Sequence, residues 1–173
     1  MRTSDPESMP EPVRRVATRL QALDHPHGPV MLEIAARTAQ QAADALGVEL
    51  GQIAKSIIFR RNSDDAVVLV IASGDRRVDE RRVAALVCPQ AGGLGRADAE
   101  FVKSRTGFSI GGVAPIAHSQ PCVTLIDRAL FRFSVIWAAA GHPHAVFRLA
   151  PADLERITGA PVADVVSSQD AAV

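Results

Sequence analysis

Two lysines stand among the 19 basic residues of this chain, and the other 17 are arginine. One of them, Lys55, lies in Gln52-Ile53-Ala54-Lys55-Ser56-Ile57-Ile58-Phe59, at the start of an apolar run that reads as a buried strand. Arginine is a flat fork of fixed charge, whereas lysine is a compact ammonium whose pKa responds to burial. A lysine kept at the mouth of an apolar strand can either snorkel into water or hold an anionic or developing charge. Lys103, on a polar helical stretch, has no evident task and shows that a retained lysine is not by itself functional.

The second candidate is Thr106-Gly107-Phe108-Ser109-Ile110-Gly111-Gly112-Val113-Ala114-Pro115. Gly111 and Gly112 remove two Cβ atoms and Pro115 stiffens the exit, so backbone N–H groups could approach a carbonyl oxygen or phosphate closely. Such a loop could serve as an oxyanion hole, although most Gly-x-x-x-Pro stretches are ordinary turns. No Gly-Lys-Ser/Thr follows, which excludes a P-loop, and the glycine spacing is not that of a dinucleotide fold.

Five histidines are arranged as His25/His27, His118 and His142/His144. The i, i+2 pairs sit in proline-containing loops with no HExxH, cysteine pair or carboxylate cluster beside them, so solvated loop histidines are expected rather than a metal site. Cys88 and Cys122 have no CxxC spacing and adjoin prolines in apolar stretches, which suits buried, reduced thiols. No Gly-x-Ser-x-Gly elbow is present. The arginine doublets 14–15, 60–61, 76–77 and 81–82 are interleaved with acids, so most read as a solvated face, while one or two could still meet phosphates.

The elements that would position these groups are legible. Val13, Val16, Ala17 and Leu20 make one helical stripe. Pro29 to Ile34 reads as a strand. Thr38 and Gln41 form a capping box for a helix that Gly47 ends. A helical turn from Leu50 leads to strand 56–61, turn Asn62-Ser63-Asp64-Asp65 and strand 66–71, whose apolar runs predict burial on both faces. Asp79 and Asp98 can each cap a helix. Strands 123–127, 135–140 and 145–149 follow, the last two joined by Gly141-His142-Pro143-His144, and Pro151 opens a helix that Gly159 ends. The expectation is one α/β domain over 11–166 with a mixed, mostly antiparallel sheet and peripheral helices, flanked by a frayed start (1–10) and tail (167–173).

At 173 residues, with 47% hydrophobic and 22% charged residues, the chain can bury a substantial core. A formal net charge of +0 argues against gripping long nucleic-acid backbones, DNA included, by bulk charge. Six Phe, one Trp and no Tyr make a poor stacking platform for single strands. No apolar run approaches the roughly 20 residues that cross a bilayer, and no signal-peptide core opens the chain, so a cytoplasmic protein without membrane association is expected.

In order along the chain, Thr38…Leu46-Gly47…Gln52-Ile53-Ala54-Lys55-Ser56, Gly74-Asp75, Thr106-Gly107-Phe108…Gly111-Gly112-Val113-Ala114-Pro115 and Ile126-Asp127 resemble the YbaK/ProX family. These are free-standing aminoacyl-tRNA deacylases similar to the editing domain of bacterial prolyl-tRNA synthetase. The resemblance implies a partly closed central sheet and hydrolysis, without metal or cofactor, of a wrong amino acid from tRNA(Pro), with prolyl-tRNA synthetase as a possible partner. It maps the family's required lysine onto Lys55 and its Gly-x-x-x-Pro loop onto Gly111 to Pro115. On that reading Lys55 anchors the terminal nucleotide or the developing charge, and Gly111 and Gly112 N–H groups bind the oxyanion. Ser56, Ser109, Val113, Ala114, Pro115, Gly141 and His142 then contact the substrate, and water is the nucleophile. The alternatives are a non-catalytic module binding the acceptor end or a synthetase, and a histidine-dependent metal hydrolase.

Overall fold

In a computed structural model, residues 5–170 are described. A short 3-10 turn at Pro6–Ser8 leads to α1 (Glu11–Ala22), whose predicted stripe buries Val13, Val16 and Leu20. The chain continues through β1 (Val30–Met31), α2 (Ala39–Leu46), a 3-10 turn at Leu50–Gln52, β2 (Ile53–Arg61), β3 (Ala66–Ser73) and β4 (Arg76–Val78). Then come α3 (Glu80–Val87), β5 (Leu94–Arg96), α4 (Ala99–Thr106), β6 (Val123–Asp127), β7 (Ile136–Ala139) and β8 (Ala145–Leu149). Helix α5 (Pro151–Thr158), β9 (Val162–Ala163) and β10 (Val166–Asp170) complete the fold.

Local chemistry sets the helix ends as the sequence predicts. Thr38 Oγ accepts from Gln41 N–H while the Gln41 side chain caps the start of α2, and Gly47 closes it in the left-handed region at φ +66°. Asp79 and Asp98 cap α3 and α4, and Gly107 and Gly159 end α4 and α5.

The strands form a mixed sheet in the order β1-β8-β7-β2-β3-β6-β9, with β5 added to β2. The contacts of β2 with β3 and β5, and of β8 with β7 and β1, are antiparallel; β2–β7, β3–β6 and β6–β9 are parallel. Among the described residues no pair joins β1 to β9. One face packs α1, α5 and the 107–118 loop over Leu69, Ile71, Ile126 and Phe147. The other packs α3 over Val68, Val70 and Leu125, and α2 over Ile53 and Val146.

Three local expectations are corrected. The first strand is confined to Val30–Met31, because Leu32 and Ala36 N–H turn to His144 and Pro143 carbonyls (2.6 and 2.7 Å) and draw the chain over that loop. The chain start is not frayed from residue 5 onward: it folds into a turn that buries Met9 in the main core. Nor is the tail frayed at its beginning, since β10 pairs with β4; residues 1–4 and 171–173 lie outside the described residues.

Candidate active site

Strand β3 has a neighbour along each edge: β2 on one side over 66–73 and β6 on the other. Strand β2 does not. Its second edge pairs with β7 only at Ile53 and Ala54, and with β5 only from Phe59 to Arg61. The cause lies in β7, which runs beside β2 only to Ala139; Ala140 N–H then turns to Ala145 O (2.9 Å) to make the β7–β8 hairpin. Residues 55–58 consequently border an opening in the sheet, and their sequence-predicted burial on both faces is only partial.

A cavity of about 410 Å³ fills this opening. Its walls come from β2, the start of α2 with Arg37, the β7–β8 hairpin with His142, and the glycine loop. Lys55 and Gly111 thus border the same cavity, and so do Ser56, Val113 and His142. Much of the remaining wall is small and apolar, including Ala39, Ala42, Ala138 and Ala139. Among the described residues, no Asp, Glu or Cys lines it.

The Lys55 ammonium donates to the carbonyl oxygens of Arg76 (2.6 Å) and Gly74 (3.4 Å). Burial pushes its pKa below the ordinary 10.5, against the opposing pull of Asp75 and Asp127. The two acids are themselves fixed. Asp75 accepts from Ser73 Oγ (3.0 Å) and Arg132 Nη2 (2.9 Å), and these bonds, against the effect of burial, hold its carboxyl below the usual range. Asp127 accepts from Ser73 N–H (3.2 Å) and Ala129 N–H (2.9 Å). An ammonium has three donors, so two carbonyl bonds position Lys55 and leave one N–H for a ligand.

The glycine loop is held from outside. Arg15 of α1 donates from Nε to Ala117 O (3.1 Å) and from Nη2 to Gly107 O (3.2 Å), and its guanidinium lies 4.6 Å from the Phe108 ring centroid. The two ends of the loop are thereby tied together. Inside it, His118 Nε2 donates to Ala114 O (2.7 Å), and burial followed by the Arg15 charge lowers the histidine's pKa. Gly111 adopts φ +92° against the backbone of Arg37, where a side chain would be strained.

Several expected contacts are placed elsewhere. Gly112 N–H donates to Ser109 O (3.1 Å), closing a turn, so it is not poised toward the cavity as an oxyanion donor. A Cβ on Gly112 would come within 2.9 Å of the His142 backbone; this glycine lets two loops touch. Gly141, at φ +94°, packs in the same way against Pro12 and Phe108. Ala114 and Pro115 are buried behind the wall, and exposed Ser109 does not line it. Arg37, Trp137 and Ile110 do line it, although nothing in the sequence patterns singled them out.

The histidines are more tied down than solvated loop residues. His25 is buried and bonds Arg148 O (3.0 Å), and His144 Nδ1 bonds Leu32 O (3.0 Å). His142 Nδ1 accepts from His144 N–H (3.1 Å), so its neutral ring carries the proton on Nε2. Burial, then the neighbouring His144 and Arg37 charges, pushes the His142 pKa down and favours that neutral form. Both cysteines are partly buried, and burial raises the Cys122 thiol to about 11, which makes it a poor nucleophile at neutral pH. Among the described residues no group of three or more His, Cys, Asp or Glu could hold a metal ion, and no helix is long and apolar enough to cross a membrane.

A family model described as the aminoacyl-tRNA editing domain matches residues 33–157. The chain belongs to this family. It is 32% identical over 126 residues to YwhH of Bacillus subtilis, covering 73% of this chain and 78% of that protein. It is 26% identical over 135 residues to EbsC of Enterococcus faecalis, provisionally named a Cys-tRNA(Pro)/Cys-tRNA(Cys) deacylase, covering 76% and 79% of the two chains. Among solved structures, one provisionally described as a trans-editing enzyme for prolyl-tRNA synthetase superposes with a TM-score of 0.84 at 38% identity, over 93% of this chain and all 100% of that one. The hypothetical protein APE2540 superposes with a TM-score of 0.81 at 29% identity, over 88% and 99%. The resemblance read from the lysine and glycine-loop motifs is therefore correct, and the mixed α/β architecture is that of these solved structures.

Proposed function

We propose that this editing domain hydrolyses the ester of mischarged aminoacyl-tRNA, and of tRNA(Pro) in particular, at the cavity beside β2. The observation that carries this reading is the meeting of Lys55 and Gly111 on one cavity of a chain that belongs to the editing family. The names of EbsC and of the prolyl-tRNA synthetase trans-editing structure support tRNA(Pro) as the carrier.

An aminoacyl ester is already activated, so a site can work by orientation and charge stabilisation alone. The third N–H of Lys55 contacts the terminal phosphate or the oxygen that gains charge. Gly111 N–H, rather than Gly112 N–H, faces the ester carbonyl. His142, with Nδ1 occupied, supplies an Nε2–H donor at the rim and not a general base. Water is the nucleophile. The alanine-rich wall suits a small side chain such as that of alanine or cysteine, a choice that shape alone can enforce only to about 1–3 kcal/mol per methylene. Neutral overall charge fits contact confined to the acceptor end, with tRNA choice shared with prolyl-tRNA synthetase.

The test is deacylation of tRNA(Pro) charged with alanine, cysteine, serine or proline by the purified full chain, with and without chelator. Chelator-insensitive release of a small non-cognate amino acid, with prolyl-tRNA spared, is the expected outcome. Binding of the acceptor end with no turnover on any ester would replace the enzyme by a binding module.

A further inference from the structure

The opening beside β2 exposes main chain as well as side chains, and the direction of that main chain is fixed by its neighbours. At the hairpin end, Arg61 O accepts from Asp65 N–H (2.9 Å) on the β3 side, and Asn62 N–H reaches Gly93 O (3.0 Å) on the β5 side. The β2–β3 register runs without a shift from Ala54 to Arg61. Successive residues of a strand turn their N–H and C=O to opposite edges. Lys55, Ile57 and Phe59 therefore address β3, whereas Ser56 and Ile58 address the opening, where no strand pairs with them among the described residues.

The cavity bordered by this edge has the cations Lys55 and Arg37 on its wall and, among the described residues, no carboxylate. An α-ammonium group brought into it finds no acidic partner, and a buried charge without hydrogen bonds is costly. Carbonyl oxygens of the open edge are acceptors able to hold it. Ser56 is the first residue beyond the β7 ladder whose main chain addresses the opening, and it lines the cavity with Ala138 and Ala139. Its side chain shares the sheet face of Ala54, which packs in one cluster with Val113 and Ala114 of the glycine loop.

We propose that the aminoacyl group lies in this opening as a one-residue strand, its α-amino group donating to Ser56 C=O and its ester carbonyl accepting from Ser56 N–H. The proposal rests on the deacylase reading and adds to it a main-chain recognition element that any side chain at position 56 would preserve. The same pairing that adds a peptide strand to a sheet edge here selects an acyl group that carries an α-amino donor, whatever its side chain. It also gives the ester carbonyl a second backbone donor besides Gly111.

The experiment uses the ¹⁵N-labelled full chain and 3′-alanylamido-3′-deoxyadenosine, a non-hydrolysable amide analogue, with the des-amino 3′-propionylamido compound as comparison. The Ser56 amide resonance is expected to shift on titration with the amine, and the des-amino compound to bind at least about tenfold more weakly. In parallel, propionyl-tRNA(Pro) should be deacylated about 100-fold more slowly than alanyl-tRNA(Pro). Ser56→Pro should lose a comparable factor, since it deletes only the outward N–H of an edge that can accept proline. If Ser56→Pro does not fold, the wild-type titration decides. An unmoved Ser56 amide while Gly111 shifts, or equal turnover of substrates with and without the α-amino group, overturns the pairing and leaves the deacylase intact. A Ser56 shift without turnover of any ester supports the pairing and overturns the deacylase.

Discussion

Strands β2 and β3 are sequence neighbours with similar apolar runs, and they have opposite fates. Every residue of β3 after Ala66 is buried, with β2 and β6 along its edges. In β2 the run from Lys55 to Ile58 is only partly buried, because β7 leaves at Ala139 and β5 joins only at Phe59. Strand β3 is scaffold; β2 is scaffold on one edge and borders the proposed site on the other. The lesson is that the cavity is made by withholding a partner from a strand that could have taken one, with the lysine and the glycine loop placed around the interruption.

Substitution on the two strands should separate these roles. Ile71→Ala, in the fully buried strand, should lower unfolding free energy by about 2–5 kcal/mol in urea titrations, with the remaining folded protein as active as before. Ile57→Ala, beside the opening, should cost about 1 kcal/mol yet impair turnover. Equal stability losses at the two sites would erase the distinction.

A smaller effect is expected from the arginine that ties the loop. Arg15→Ala removes both bonds to Gly107 and Ala117, and kcat/KM should fall about tenfold, chiefly in kcat, if the loop supplies transition-state contacts. Arg15→Lys should not restore it, since one ammonium cannot reproduce the bidentate fork. The Glu11 ion pair at 3.6 Å is exposed, and Glu11→Gln should change stability by less than about 0.5 kcal/mol. Recovery by lysine would reduce Arg15 to a general positive charge.

The smallest effect concerns pH. The folded-state pKa of His118 is lowered from 6.5, so as pH falls below 6.5 the unfolded chain takes up that proton first and the native state loses stability. Stability tied to this histidine is full above that value and lost as pH drops through the lowered one. Denaturant titrations between pH 7.5 and 5 (a range set about the ordinary histidine value) should show a downward slope that His118→Gln makes shallower. An unchanged slope would assign the acid sensitivity elsewhere, with His142 next in line.

Much of the scaffold was legible because it is encoded locally. Thr38, Asp79, Asp98, Gly47 and Gly159 mark helix ends by capping chemistry, and the β2–β3 hairpin announces itself in Asn62 to Asp65. Short strands β4, β5, β9 and β10 were not legible, since Arg76–Val78 or Leu94–Arg96 become strands only through tertiary pairing. At the site, Lys55 and Gly111 stood out by residue type. Arg37 and the Ser56 backbone did not, because their placement depends on where β7 turns away. No motif displays that Gly112 N–H closes a turn onto Ser109.

The most direct test exploits the two lysines. Single-turnover deacylation of alanyl-tRNA(Pro) and cysteinyl-tRNA(Pro) should be measured for the wild type, Lys55→Ala and Lys103→Ala, with folding verified by circular dichroism. Lys103 lies exposed on α4 outside the cavity wall, and its removal should leave the rate within about twofold, whereas loss of the cavity ammonium should slow it by about 100-fold or more. A folded Lys55→Ala protein that hydrolyses these esters at the wild-type rate would contradict the assignment of the β2 cavity as the editing site.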